Sequence, residues 1–284
     1  MEEKNIHQQK QQYEQNGFLV IKDFISSDVC DLLIQRANEL INNFELGDKK
    51  TIFSTKNKDK NQLKNQYFLE SGHQVRFFFE EGALDEHGHL LCEKSKSINK
   101  IGHALHDLDP VFNLFSRTNK IAALVHHLGV IHPLLLQSMY ICKQPHIGGE
   151  VSCHQDAAYL YTVENPVMGL WFALEDATLE NGCLWAIPGG HKNPLKNRLR
   201  KKGQNELHHE IYDETPWPLE KMIPLEVSRG SLIVLHGLLP HMSKENNSTS
   251  SRHAYSLHII SSEADYPSDN WLQRPTHMPL KGFS

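Results

Sequence analysis

The sequence predicts a mainly β protein with flanking helices: a barrel or jelly-roll core buttressed by an N-terminal helical region. Two changes of texture carry that reading. Before Pro133, apolar residues recur at three- and four-residue spacing, the mark of helices that bury one face. After Pro133 the chain breaks into short apolar runs punctuated by Gly, Pro and Asn, as in sandwiches and barrels. No internal repeat and no linker-like stretch interrupts the 284 residues, so 1–284 reads as one domain. Within it, 1–132 is mostly helical support with a candidate lid, 133–262 the β core and 263–284 a C-terminal tail.

In order, 17–25 (Gly-Phe-Leu-Val-Ile-Lys-Asp-Phe-Ile) reads as a short strand entering a turn. Ser26 and Ser27 can cap the next helix, whose buried face is Val29, Leu32, Leu33, Ala37, Leu40 and Ile41. Residues 49–66 are rich in Lys and Asn with almost no core formers, a surface loop and the candidate lid. Residues 75–79 (Val-Arg-Phe-Phe-Phe) read as a strand, and helical patterns return at 98–108 and 119–128. The strand-like runs that follow are 134–142, 167–174, 183–187, 222–227, 231–235 and 254–260. Of these, 167–174 is continuously apolar, as expected of a strand buried on both faces.

Composition excludes several classes of function. The net charge is −5 with both signs dispersed, which argues against a binder of nucleic acid. Five cysteines lie far apart without a Cys-x-x-Cys, as reduced thiols in the cytoplasm would. The first twelve residues are charged and glutamine-rich, unlike a secretory signal. No run approaches the ~20 apolar residues of a membrane span.

Chemistry concentrates at Val151-Ser152-Cys153-His154-Gln155-Asp156. On an extended strand alternate side chains share a face, so His154 and Asp156 project together and Gln155 turns away. With nineteen histidines in the chain, one His-x-Asp pair is weak by itself. A second histidine elsewhere would complete two imidazoles and a carboxylate with open positions, the ligand set of mononuclear non-heme Fe(II) oxygenases. His236 and His241 compete for that place within 231–243. Arg252 follows His241 by eleven positions and His236 by sixteen, and the shorter gap better suits a neighbouring strand. A cosubstrate with two carboxylates needs such a buried cation at its far end, and Ser243 can share the strand face of His241.

These residues resemble the phytanoyl-CoA dioxygenase family of Fe(II)/2-oxoglutarate oxygenases, whose pattern is His-x-Asp, a distant His, ten residues and Arg. The segments 99–106 (Asn-Lys-Ile-Gly-His-Ala-Leu-His), 109–112 (Asp-Pro-Val-Phe) and 176–184 running to Pro188-Gly189-Gly190-His191 look like that family too, so the similarity covers nearly the whole chain. It implies a double-stranded β-helix, the cupin-like jelly roll, with helices packed on one sheet. It implies His154, Asp156 and His241 as iron ligands, and Arg252 and Ser243 at the far carboxylate of 2-oxoglutarate. Lys100, Met139, Gln155 and Trp171 match positions near the cosubstrate. The implied reaction is hydroxylation of a small organic substrate by O2, with release of succinate and CO2. Gly190 departs from the family, which usually has Ser there.

Two alternatives accompany that reading. One is an acyl-CoA 2-hydroxylase, for which Lys192, Lys196, Arg198, Arg200, Lys201 and Lys202 would clasp the phosphates. The other is a jelly-roll protein that binds metal or 2-oxoglutarate without turnover. His103 and His106, expected on one helix face, are further candidates to touch a substrate.

Overall fold

The computed structural model describes residues 2–47, 51–52, 66–164, 166–203 and 206–283, with side chains from residue 7 onward. The candidate lid at 49–66 lies almost entirely outside them. Thirteen described strands follow one another as β1 (Phe18–Ile21), β2 (Val75–Phe79), β3 (Ile98–His103), β4 (Pro133–Ile141), β5 (Val151–His154), β6 (Met168–Ala173), β7 (Leu184–Ala186), β8 (Asn197–Lys201), β9 (Leu207–Ile211), β10 (Ile223–Leu225), β11 (Leu232–His236), β12 (His241–Ser243) and β13 (Ala254–Ser261). They form a seven-stranded antiparallel sheet ordered β1-β11-β6-β13-β4-β3-β2, a four-stranded sheet ordered β10-β7-β12-β5, and the β8–β9 hairpin. This is the expected jelly roll, a large sheet facing a small one.

The period of two along the strands divides the large sheet into a dry face and a cavity face. Met168, Leu170 and Phe172 of β6 join Tyr255, Leu257 and Ile259 of β13 in the main hydrophobic core. Among the described residues the α-helices are α1 (Glu2–Asn16), α2 (Ser27–Asn43), α3 (Gln66–Leu69), α4 (Lys94–Ser97), α5 (Leu105–Leu108), α6 (Pro110–Ser116) and α7 (Asn119–His127), with short 3-10 turns elsewhere. Five of them contribute to that core, chiefly through Leu33 and Ala37 of α2, Phe112 and Phe115 of α6, and Ile121 and Val125 of α7, with Tyr13 of α1 and Leu105 of α5 added. Each such buried side chain contributes about 1.5–3 kcal/mol. The intervening residues Gly169, Trp171, Ser256 and His258 point the other way and line the cavity between the sheets.

Local signals start α2 where the sequence predicts and also start α6, which is not among the expected helices. Ser26 caps α2, accepting from Val29 N at 3.4 Å. Asp109 caps α6 through Val111 N at 3.0 Å and Phe112 N at 3.2 Å, with Pro110 in the first turn where its missing N–H costs nothing. Its other oxygen takes Arg36 Nε of α2 at 2.8 Å, so one carboxylate starts a helix and ties two together.

Three expectations need correction. Residues 98–108 are not one helix. Ile98–His103 is strand β3, paired through Lys100↔Ile141 and Gly102↔Met139, and only α5 is helical. Every residue of β3 is buried, and the recurrence of Ile98, Ile101, Leu105 and Leu108 at three- and four-residue spacing reads as a helix. His103 and His106 therefore share no helix. The basic run, absent from the predicted strands, contributes β8, which pairs with β9. The large sheet also takes β1, β2 and β3 from ahead of Pro133, so helical support and β core interleave along the chain.

The C-terminal tail is clamped by charge. Asp107 takes Arg117 Nη2 at 2.6 Å and Arg274 Nη2 at 3.1 Å, and Arg117 Nε donates to Gly282 O at 3.0 Å. Among the described residues no helix is long and apolar enough to cross a membrane. Burial alone would raise the Asp107 carboxyl, but hydrogen bonding and charge from His106, then Arg117 and Arg274, hold it well below the ordinary carboxylate range. A carboxyl depressed in the folded state adds stability that is complete above its unfolded pKa and is lost as the pH falls toward the folded one. Acidification from about pH 5 to about pH 3 should thus lower Tm more in the native chain than in Asp107→Asn. Parallel decreases in the two would show that the clamp does not depend on this charge.

Candidate active site

The small sheet brings the two histidines together. β12 pairs antiparallel with β5 so that His241 lies directly opposite His154, their ring centroids 4.3 Å apart. Each ring is held by its own backbone: His154 Nδ1–H donates to Ser152 O and His241 Nδ1–H to Leu239 O, both at 2.9 Å. This tautomer leaves both Nε2 lone pairs free to bind a cation. Burial pushes the His241 pKa down to about 4, which keeps the imidazole neutral.

Asp156 arrives differently from the expectation. β5 ends at His154, and Asp156 opens the 3-10 turn Asp156–Ala158. The turn still delivers its carboxylate, with Oδ1 3.5 Å from His154 Nε2 and 3.7 Å from His241 Nε2. The donor atoms of His154, Asp156 and His241 lie within 4.8 Å of one another, a grouping suited to one metal ion. Burial opposes the Asp156 charge, but the histidines around it, His241 first and then His258, hold the carboxyl well below its ordinary range.

His236 loses the competition. Its Nδ1 accepts Leu238 N at 3.1 Å, and its ring packs near Tyr13 and His191 under α1. Close by, a Cβ at Gly190 would sit 2.7 Å from Pro240 Cδ, so glycine permits close packing behind His241. Gly190 is not among the cavity walls.

The triad opens into a cavity of about 690 Å³ whose far wall carries the expected cation. Arg252 is 1% exposed, and its Nε and Nη1 have no hydrogen-bond partner among the described residues. The guanidinium lies 5.1 Å from the centroid of the Trp171 ring. Burial lowers its pKa only to about 10, so it stays charged near neutrality. A buried cation with open donors is costly until an anion pairs with it, and a planar fork suits a carboxylate.

Ser243, Lys100, Met139 and Trp171 also line this cavity. Lys100 stands on β3, where burial brings its pKa down to about 7. Gln155 does not reach the cavity. Its amide donates to Leu238 O at 2.9 Å and Pro194 O at 3.3 Å and accepts Lys196 N at 3.0 Å, so it braces the loops behind the ligands. The strand alternation that sent Gln155 away from His154 outweighs its resemblance to a cosubstrate position.

His103 lines the cavity, its Nδ1 2.7 Å from Ser71 Oγ, whereas His106 is bound to Ser138 Oγ at 2.8 Å and the Asp107 clamp. Half of the basic run is paired within the fold: Lys196 pairs with Asp213 at 2.7 Å, Arg198 with Asp269, and Arg200 with Glu210 at 2.9 Å. Two cavity residues were missed in the sequence. Lys143 is buried, with Nζ donating to Gly149 O at 2.7 Å and Lys244 O at 2.6 Å. His258 places Nε2 3.2 Å from Asp156 Oδ2. His258 carried no motif, and only its register on β13 brings it to the site.

Comparison with known proteins agrees with this geometry. Residues 13–254 match the family model for phytanoyl-CoA dioxygenase (PhyH). Phytanoyl-CoA dioxygenase domain-containing protein 1 of Mus musculus is 42% identical over 279 residues, 96% of each chain. Phytanoyl-CoA dioxygenase of Arabidopsis thaliana is 46% identical over 265 residues, 92% of this chain and 91% of the relative. Among solved structures, the epimerase SnoN in complex with Fe3+, alpha ketoglutarate and nogalamycin RO superposes with TM-score 0.66 at 14% identity, covering 96% of this chain and 91% of that one. EctD from S. alaskensis with 2-oxoglutarate and 5-hydroxyectoine gives TM-score 0.64 at 17% identity, covering 94% and 83%. The two structures share the fold, and the family model and relatives match along most of the chain: this protein belongs to the phytanoyl-CoA dioxygenase family.

Proposed function

We propose that this chain is an Fe(II)- and 2-oxoglutarate-dependent dioxygenase that hydroxylates a small organic substrate with O2. One juxtaposition carries the reading: two imidazoles and a carboxylate share a cavity with Arg252, a buried guanidinium whose donors are open. His154, Asp156 and His241 would hold the iron. Arg252, with Ser243 beside it, would take the far carboxylate of the cosubstrate, and Lys100, Met139 and Trp171 would wall its site. When bound, iron and 2-oxoglutarate supply an oxidant for an unactivated C–H bond, the cosubstrate leaving as succinate and CO2.

The chain's own residues prepare the site. Backbone carbonyls fix both ligand rings, and burial keeps His241 in the form that binds a metal. Trp171 covers the guanidinium, strengthening its attraction for a carboxylate by excluding water. Beyond the metal ligands the walls turn apolar, with Phe68 stacked on Trp271 at 4.5 Å and Leu160, Leu199 and Leu207 nearby. These walls suit the body of an organic substrate. Internal pairing of Lys196, Arg198 and Arg200, half of the basic run, weighs against its use as a clasp for an acyl-CoA substrate. Five unpaired thiols suit the reducing cytoplasm.

Anaerobic addition of Fe(II) and then 2-oxoglutarate should produce a visible metal-to-ligand charge-transfer band that His241→Ala abolishes. Arg252→Leu should weaken 2-oxoglutarate binding by about 100-fold, roughly 3 kcal/mol, with Fe(II) affinity little changed. Iron binding without the band would favour a metal protein that does not turn over. Asp156→Ala should release no succinate under O2, and retained turnover would refute the ligand assignment.

A further inference from the structure

We infer that His258 is a positioning residue for the metal site: it holds Asp156 by Oδ2, so that Oδ1 alone faces the cation. The inference rests on the metal assignment proposed above. Its evidence is separate, since it comes from the opposite sheet.

β13 runs through the middle of the large sheet, and His258 lies opposite Gly169 on β6 and Gln137 on β4. Alternation turns Ala254, Ser256 and His258 toward the small sheet, while Tyr255, Leu257 and Ile259 enter the core under the helices. From the floor of the cavity, His258 Nε2 comes within 3.2 Å of Asp156 Oδ2. The other oxygen, Oδ1, is the one near His154 and His241. The two carboxylate oxygens therefore have different neighbours, one facing the metal ligands and the other the large sheet.

Chemistry fixes the direction of the bond. A carboxylate oxygen only accepts, so Nε2 must carry the hydrogen. The far ring nitrogen, Nδ1, is buried without a partner among the described residues, so none of their hydrogen bonds competes to set the ring's orientation. His258 and Asp156 are 4% and 8% exposed, so water is a poor substitute for either partner.

Gly169 keeps the space open. A Cβ at this position would sit 3.1 Å from Asp156 Oδ2 and 3.6 Å from His258 Nε2. Any side chain on β6 here would press into the pair. Three separate elements, the turn after β5, the middle of β6 and the middle of β13, thus converge on a single oxygen.

The consequence concerns denticity. A carboxylate free to rotate can offer both oxygens to one cation and occupy a position the cosubstrate or O2 needs. A donor on Oδ2 opposes that rotation and fixes the ligand's direction. Outer partners of this kind typically govern metal affinity by about 10- to 100-fold.

The test is Co(II) binding, followed by its visible absorption, in wild type, His258→Leu, His258→Gln and Gly169→Ala, with urea unfolding as a check on folding. Spectra with Fe(II) and 2-oxoglutarate provide a second readout. His258→Leu should bind Co(II) about 10- to 100-fold more weakly and displace the absorption bands. His258→Gln, which returns an N–H at similar reach, should recover most of the affinity. Gly169→Ala should displace the bands with every ligand intact, and it carries the comparison if the Leu variant folds poorly. Equal losses in the Leu and Gln variants would make the effect one of packing and overturn the proposal. Unchanged Co(II) affinity and spectra in His258→Leu and Gly169→Ala would overturn it while leaving the metal assignment standing, provided His241→Ala fails to bind. A wild-type chain that takes up no Co(II) would overturn both.

Discussion

The pairing of β12 with β5 is the contact on which the site depends. Placing His241 opposite His154 converts a sequence separation of more than eighty residues into adjacent rings. Main-chain hydrogen bonds set that register, and a slip of one residue would turn His241 to the other face of the small sheet. Each ring is then steadied by a carbonyl two residues before it on its own segment. The placement of the two imidazoles is thus largely a property of backbone.

Around that pair the fold accepts a concentration of buried charge. Arg252, Lys100, Lys143 and Asp156 are all under 10% exposed. Desolvation disfavours each of them, which is why the two lysines are lowered to about 7 and Arg252 to about 10. Lys143 is compensated by two carbonyls, whereas Arg252 is left with open donors. An uncompensated buried cation costs several kcal/mol. The dry face of the large sheet offsets it through many apolar side chains at about 1.5–3 kcal/mol each. One sheet therefore supplies stability from one face and reactivity from the other. The strand period of two keeps the functions apart, with Tyr255, Leu257 and Ile259 in the core and Ser256 and His258 in the cavity.

The same logic explains the family motifs outside the ligand set. Asp109-Pro110 starts α6 and binds α2 through Arg36. The 99–106 segment contributes a cavity lysine from β3 and, through His106 and the neighbouring Asp107, an anchor for the C-terminal tail. Only part of the motif content therefore touches the cavity.

Much of this was legible in the sequence, for identifiable reasons. Short strands after Pro133 show as β-rich runs between turn formers, and α2 shows as a cap followed by a helical stripe. His154, Asp156, His241 and Arg252 could be selected because metal and dicarboxylate chemistry restricts residue type and spacing. What the sequence alone determined was thus the fold class and which residues were candidates for ligands and cation, a set the fold brings to one cavity. Tertiary structure decided the rest. β3 was hidden because Ile98, Ile101, Leu105 and Leu108 recur at three- and four-residue spacing, which reads as a helix. Gln155 turned out to brace loops, and the basic run found carboxylates, because both partners come from distant segments. His258 and Gly169 became part of the site through register across β4, β13 and β6. Register is set by hydrogen bonds between strands far apart in the chain, and no local pattern records it.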